Sequence, residues 1–238
     1  MNEKKTFTFD GVSSERFGLW ISGSGTYGVP ERDVEMVSIP GKHGDLEFYN
    51  GRFKNITVSY LASGIIRDLE QKISDFEAWG AAKTGYKRLE DDYHTDYYRL
   101  ARLITPIEPM IARNLKSALI DIQFDCKPQK FLKSGETVVT LTKTGNITNP
   151  TLFRSKPLLR IYGAGTLTIG SFQVKLTNNT TYTDVDCEIM NAYNATDNLN
   201  RYLQVTNNLF PELLPGVNKL TFGTGITKVE ITPRWWTL

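Results

Sequence analysis

The 238-residue chain holds only two cysteines, Cys126 and Cys187, and two histidines, His43 and His94. Two cysteines without CxxC spacing make neither a disulfide framework nor a zinc site, so both are expected as small buried apolar groups. With so few histidines and no Gly-x-Ser-x-Gly elbow, a His-assisted Ser or Cys nucleophile has almost no partners to draw on. Charge of one sign is lacking too: 28 Lys+Arg stand against 26 Asp+Glu, too even a balance for a protein that lives on phosphate backbones. No apolar run approaches the roughly 18 residues that span a bilayer, and residues 1–11 show no signal-peptide stretch. The reading is a protein made in a cytoplasm, with no membrane insertion, no sequence-specific nucleic acid, no metal and no cofactor.

At about 150 residues per domain the length corresponds to one large β domain or two smaller ones. Composition favours two. Thr occurs 7 times in residues 1–133 and 19 times in the remaining 105, Asn goes from 4 to 11, and charged residues fall from 38 to 16. A boundary is therefore placed between 133 and 134, with a linker over about 127–150.

In the first part, Lys5 to Phe9 and Phe17 to Ile21 read as short strands. Val34 to Ile39 runs into Pro40-Gly41-Lys42-His43-Gly44, where His43 reads as a turn residue, and Leu46 to Tyr49 then meets Asn50-Gly51 before strand-like alternation over Arg52 to Leu61. Asn-Gly supplies the positive φ of a type I′ turn, so a hairpin is expected there. The broken apolar parity from Phe53 to Ile56 suggests a bulge near Lys54 or Asn55. Over about 65–83, Leu69, Ile73, Phe76 and Gly80 recur at helical spacing, flanked by Ile66 and Trp79. The spacing predicts one amphipathic helix laid on a sheet, with Ser63 as N-cap and Gly85 as stop. Tyr97 to Ile104 and Ala118 to Cys126 read as strands, the second with Ile120, Ile122, Phe124 and Cys126 inward.

In the second part nearly everything alternates with period two: Leu158 to Tyr162, Thr166 to Ile169, Phe172/Val174/Leu176, Val185/Cys187/Ile189, Leu220/Phe222 and Val229/Ile231. Short runs separated by Gly, Asn and Pro describe an antiparallel sandwich. The fold class is thus mainly β: an α+β first domain with one helix and a projecting hairpin, then a β-sandwich.

Chemistry-bearing patterns are sparse. Gly23-Ser24-Gly25-Thr26-Tyr27-Gly28 matches GxGxxG but leads toward a strand, whereas pyrophosphate binding needs a helix to start there. Glu90, Asp91, Asp92, His94 and Asp96 read as a solvated loop. Asp184, Asp186 and Glu188 alternate along a strand and read as its exposed face, although a carboxylate pair there has the makings of a glycoside hydrolase. Trp235 and Trp236 offer an aromatic platform for a saccharide, with the reservation that one of two adjacent strand residues normally faces the core. An enzyme is not what these residues announce.

Taken in order along the chain, Phe7-Thr8-Phe9-Asp10-Gly11, Phe17-Gly18-Leu19, Val37-Ser38-Ile39-Pro40-Gly41-Lys42-His43-Gly44-Asp45-Leu46, Asn149-Pro150, Pro157 to Gly163, Asp184 to Glu188, Asn191-Ala192-Tyr193, Phe210 to Asn218 and Pro233-Arg234-Trp235 resemble the distal tail protein family of siphophages infecting Gram-positive bacteria. That resemblance implies a virion protein at the distal end of a phage tail, a hub whose N-terminal domain closes into a homohexameric ring. It further implies a C-terminal domain similar to a galectin or carbohydrate-binding module. The implied partners are the tail tube protein on one face of the ring, the tail-associated protein or fibre base on the other, and receptor-binding or baseplate proteins in some members, with DNA leaving through the channel. Shared sandwich shape carries no sugar site with it.

On this reading the ring interface is expected at the hairpin, Phe48, Tyr49, Asn50, Gly51, Arg52 and Phe53, because unpaired strand edges are ready surfaces for a closing head-to-tail join. The alternative is a host-adhesion module that binds cell-wall saccharide through the C-terminal sandwich, at Trp235 and Trp236.

Overall fold

A computed structural model describes residues 4–23, 27–65, 69–104, 109–111, 117–178, 181–195 and 197–238. By packing, the chain divides into two units, 1–130 with Leu238, and 131–237.

The first unit contains β1 (Phe7–Phe9), β2 (Val12–Ser13), β3 (Trp20–Ile21), β4 (Arg32–Ser38), β5 (Asp45–Phe53), β6 (Ile56–Ile65), α1 (Leu69–Ala81), β7 (Lys87–Asp91), β8 (Tyr97–Leu103), β9 (Pro109–Ile111) and most of β10 (Ser117–Leu132). Its main sheet runs β2-β1-β7-β8-β10-β6-β3, with β9 also on β10. Alternation on β10 places Ile120, Ile122, Phe124 and Cys126 in the core, each with no exposed surface. Opposite them on β6, Val58, Tyr60 and Ala62 point the same way. Phe7 stacks on Tyr60 with ring centroids 5.3 Å apart, while Phe9 meets Trp79 edge-on at 5.7 Å. The helix lays Ile73, Phe76 and Gly80 against this core, the stripe its spacing dictates.

Three local expectations are corrected in this unit. Ser63 is not a helix cap: it lies within β6, opposite Trp20 and Leu119, because pairing with β10 carries the strand on to Ile65. Ile66 lies outside the described residues. The stretch Phe17 to Ile21 begins as a short 3-10 turn, Ser14–Phe17, closed by Gly18 in the left-handed conformation, and only Trp20–Ile21 is strand. Residues 127–132, expected as linker, continue β10.

The second unit contains β11 (Val139–Leu141), β12 (Gly145–Asn149), β13 (Leu158–Tyr162), β14 (Gly165–Ile169), β15 (Phe172–Leu176), β16 (Thr183–Asp186), β17 (Asn191–Asn194), β18 (Asp197–Asn198), β19 (Leu203–Val205), β20 (Gly216–Phe222), β21 (Lys228–Thr232) and β22 (Trp236–Thr237). Two sheets, β11-β21-β13-β16-β17-β18 and β12-β20-β14-β15-β19, enclose one core that includes Leu159, Ile161, Leu167, Val174, Val185, Leu220, Val229 and Ile231. The chain is therefore mainly β, with a single α-helix among the described residues and an antiparallel sandwich. No helix of the described residues is long and apolar enough to cross a membrane.

Four glycines make the sandwich close. The connections from β13 to β14 and from β20 to β21 pass between the two sheets and lie backbone against backbone. A Cβ on Gly225 would stand 2.0 Å from the Ala164 carbonyl oxygen, and one on Gly163 2.1 Å from that of Gly225. Gly165 and Gly223 are hemmed in similarly.

Candidate functional site

Strand β4 pairs with β5 alone, and the two form a two-stranded ribbon outside the main sheet. Val34, Glu35, Met36, Val37 and Ser38 stand opposite Tyr49, Phe48, Glu47, Leu46 and Asp45. The chain turns at Pro40–Gly44, where Gly41 and Gly44 take positive φ and the Lys42 N–H donates to the Ile39 carbonyl over 3.1 Å. His43 is exposed in this turn.

The hairpin turn is thus not at Asn50-Gly51. Arg32 faces Phe53 while Val34 faces Tyr49, so Asn50, Gly51 and Arg52 together stand against the single residue Asp33. Gly51 has φ +73. Asn-Gly serves a bulge as readily as a turn: a type I′ turn puts both residues at positive φ and a bulge only the glycine, and of the two only Gly51 is at positive φ. The bulge is locked in place: Arg52 Nε donates to Asp33 Oδ2 over 2.6 Å, and this bond holds the Asp33 carboxyl below its usual range. The Arg32 guanidinium lies over Tyr49 and Phe53 at 5.4 and 5.6 Å. The parity break forecast near Lys54 or Asn55 is the end of β5, after which β6 joins the main sheet.

Alternation puts Val34, Met36 and Tyr49 on one ribbon face, and Val37, Leu46 and Phe48 on the other. Met36 is 55 % exposed and Phe48 51 %, and Val37, Ile39, Leu46 and Tyr49 are exposed as well. Glu35, Asp45 and Glu47 lie among them. A two-stranded hairpin is marginal by itself in water, and this one leaves apolar side chains exposed on both faces. Met36, Val37 and Leu46 belong to this surface although the sequence reading did not single them out. Their signal was Val34-Glu35-Met36-Val37-Ser38-Ile39, which puts apolar groups on both sides of one strand.

The saccharide platform is not formed. Trp235 is 5 % exposed and part of the second core. Trp236 stacks on Phe153 at 4.4 Å and donates its Nε1–H to the Arg154 carbonyl over 2.8 Å. Nor are Asp184 and Asp186 on a solvated face: they are 4 % and 6 % exposed. Arg160 on the neighbouring strand grips Asp184 through bonds of 2.7 and 2.9 Å, and Arg234 grips Asp186 through bonds of 2.7 and 2.8 Å. Strand alternation said only that these carboxylates leave the core side. It did not say that arginines would fold over them. Glu188 alone of the three is exposed, 3.8 Å from Lys156.

The acidic run 90–96 is a hydrogen-bonded corner, not a loose loop. Asp91 accepts from Tyr60 Oη (2.7 Å) and from the N–H groups of Tyr93 and His94 (2.9 and 2.8 Å), while Asp92 accepts from Thr6 N and Oγ1 (2.6 and 2.8 Å). Among the described residues no group of His, Cys, Asp and Glu has the arrangement of a metal site. Cys126 and Cys187 are buried, and burial raises both thiols, Cys126 to about 12. Of the glycine-rich run, Ser24, Gly25 and Thr26 lie outside the described residues.

No protein-family model and no curated protein matches the chain. Among solved structures it is similar to the Dit protein of SPP1, described as a paradigm of hub adsorption apparatus in phages infecting Gram-positive bacteria. The TM-score is 0.74 at 15 % identity, with 99 % of this chain and 100 % of that one covered. Chains of the phage P2 baseplate in its activated conformation with calcium and with strontium align at TM-scores of 0.48 and 0.46, each 10 % identical, covering 96 % and 95 % of this chain and 97 % of theirs. The chain shares its fold, end to end, with a phage hub protein, the class of protein its sequence resembles.

Proposed function

We propose that this chain is an architectural protein of a phage tail tip, a hub that works by shape and not by turnover. Two things support the reading. The fold of a phage hub protein extends over 99 % of the chain, and the β4–β5 ribbon leaves apolar side chains exposed on both faces. The second observation carries it, because a marginal ribbon with two uncovered apolar faces is stable only when another surface takes them.

In this proposal the other surface is a second copy. The ribbon segment Phe48 to Phe53 of each protomer docks on its neighbour, and a head-to-tail contact of this kind closes into a homohexameric ring. Each contact buries at least about 1,600 Å², the usual extent of a stable interface. The ring sits at the distal end of the tail between the tail tube protein and the tail-associated or baseplate proteins, and DNA passes through its centre. No saccharide is assigned to Trp235 or Trp236, whose rings are occupied by the protein itself. Negative-stain imaging of the purified full chain tests the proposal: sixfold annuli support it, and single particles of one chain at every concentration contradict it.

A further inference from the structure

The β4–β5 ribbon pairs only with itself, so its direction is decided at the root, where its strands leave the first unit. The Lys54 N–H donates to the Glu31 carbonyl there over 2.8 Å and closes the two strands on each other. Asn55, next along the chain and between β5 and β6, reaches outside the ribbon. Its amide nitrogen donates to Asp125 Oδ1 over 2.9 Å and to Tyr86 Oη over 2.7 Å. Tyr86 Oη in turn donates to Asp125 Oδ2 over 3.1 Å, and Arg102 Nε donates to the same oxygen over 2.8 Å.

Asp125 lies on the outward side of β10, between the buried Phe124 and Cys126, so the packing of the core makes no demand for a carboxylate at this position. Its side chain is 19 % exposed. Burial works to raise the Asp125 carboxyl, but the bonds from Arg102, Asn55 and Tyr86 outweigh it and hold it below its ordinary value. It is therefore a charged acceptor at neutral pH, and bonds to a charged acceptor are the stronger kind. Three parts of the chain converge on it: strand β8 through Arg102, the residue before β7 through Tyr86, and the ribbon root through Asn55. By contrast, Arg52 on Asp33 and Arg32 over Tyr49 and Phe53 stiffen the ribbon from within and do not aim it. Aim matters because the arm is long. The seven residues of β4 at about 3.3 Å each carry the turn roughly 20 Å from the root, and a swing of about 20° there moves it by about 7 Å, more than the spacing of paired strands.

We propose that Asn55 and Asp125 form a latch that aims the ribbon, Asn55 acting as a positioning residue that holds the arm in one direction in the free protomer. The aiming stands on these bonds alone, and its purpose, meeting a neighbouring copy at a repeatable angle, rests on the hub reading. A closed ring requires the same angle at every contact. An arm already held at that angle loses less freedom on docking, which favours association.

Distance distributions between spin labels on the full chain test the latch, with labels at His43→Cys in the ribbon turn and Glu15→Cys in the 3-10 turn, both exposed positions. Dilution into unlabelled chain confines the reading to distances within one protomer. The otherwise unchanged labelled chain is expected to give one narrow distribution. Asn55→Asp, which sets two carboxylates against each other, is expected to replace it by a broad one while the unfolding midpoint stays in place. Combining Asn55→Asp with Asp125→Asn exchanges donor and acceptor across the latch, and the narrow distribution should return. Self-association follows the same order, lost in the single variant and regained in the exchanged pair. A broad distribution without either change, equal widths in Asn55→Asp, or an exchanged pair that stays broad overturns the latch. A narrow distribution in a chain that never self-associates contradicts the hub reading and leaves the latch standing.

Discussion

Asp186 and Arg234, 48 residues apart, meet through two parallel hydrogen bonds of 2.7 and 2.8 Å. Arg234 holds a left-handed backbone, φ +57, to make them, and its N–H donates to the Gly135 carbonyl over 2.8 Å. The clamp ties the C-terminal segment to β16. Arg234→Met leaves a buried carboxylate without its partner and is expected to cost about 3 kcal/mol. The double change Asp186→Leu with Arg234→Met recovers part of that. Denaturant unfolding of the full-length variants measures both.

The same pair sets a pH dependence. Burial alone would raise the Asp186 carboxyl, but the Arg234 bonds and the Glu188 and Ile189 amides outweigh it and lower the value below 3.8. A lowered native value means that the unfolded chain binds more protons in this range, so the stabilisation is present above 3.8 and is lost as pH falls through the native value. Asp186→Asn is expected to be less stable at neutral pH and to lose less on acidification. Stability curves of the two proteins between neutral pH and pH values below 3.8 check the sign.

Two glycine substitutions separate crowding from backbone strain. Gly225→Ala meets the Ala164 carbonyl at 2.0 Å with φ +94, whereas Gly216→Ala has φ +83 and open space around its Cβ. The second is expected to cost about 1–2 kcal/mol, the price of a left-handed alanine, and the first clearly more. Equal midpoints for the two variants would mean that the crossing loops separate easily.

The thiols give a rapid check of the two cores. Cys126 and Cys187 are expected to resist a thiol reagent at pH 8 in the native protein and to react fully in denaturant, because each is buried and held in its neutral form. Fast native labelling of either would show that its core opens.

Much of this architecture is legible in the sequence where the signal is local. Ile120 to Cys126 alternates, Ile73, Phe76 and Gly80 recur at helical spacing, and Leu158 to Tyr162 alternates between Pro and Gly, and each folds as its period dictates. What misled was chemistry with two uses. Asn50-Gly51 suits a turn and a bulge alike, and which one forms depends on Asp33, across the ribbon. Asp184 and Asp186 leave the core side as alternation says, yet Arg160 and Arg234 come from 24 and 48 residues away to bury them. Phe48 to Phe53 were legible as a candidate interface, whereas the exposed Met36, Val37 and Leu46 beside them were not, because exposure is a property of packing.

The ribbon offers a variant that separates assembly from folding. Phe48→Ser removes an exposed side chain and is expected to leave the protomer's unfolding midpoint within about 0.5 kcal/mol of the parent, whereas Phe124→Ala in the core costs about 3–5 kcal/mol. Only Phe48→Ser should abolish self-association without unfolding, as sedimentation and thermal melts run side by side will show.

Native mass measurement of the full chain addresses the hub reading most directly. It should find six copies of the 26.9 kDa protomer in one particle, falling to single chains in Phe48→Ser. A parent protein that remains one chain across the concentration range, or a Phe48→Ser particle as large as the parent's, contradicts it.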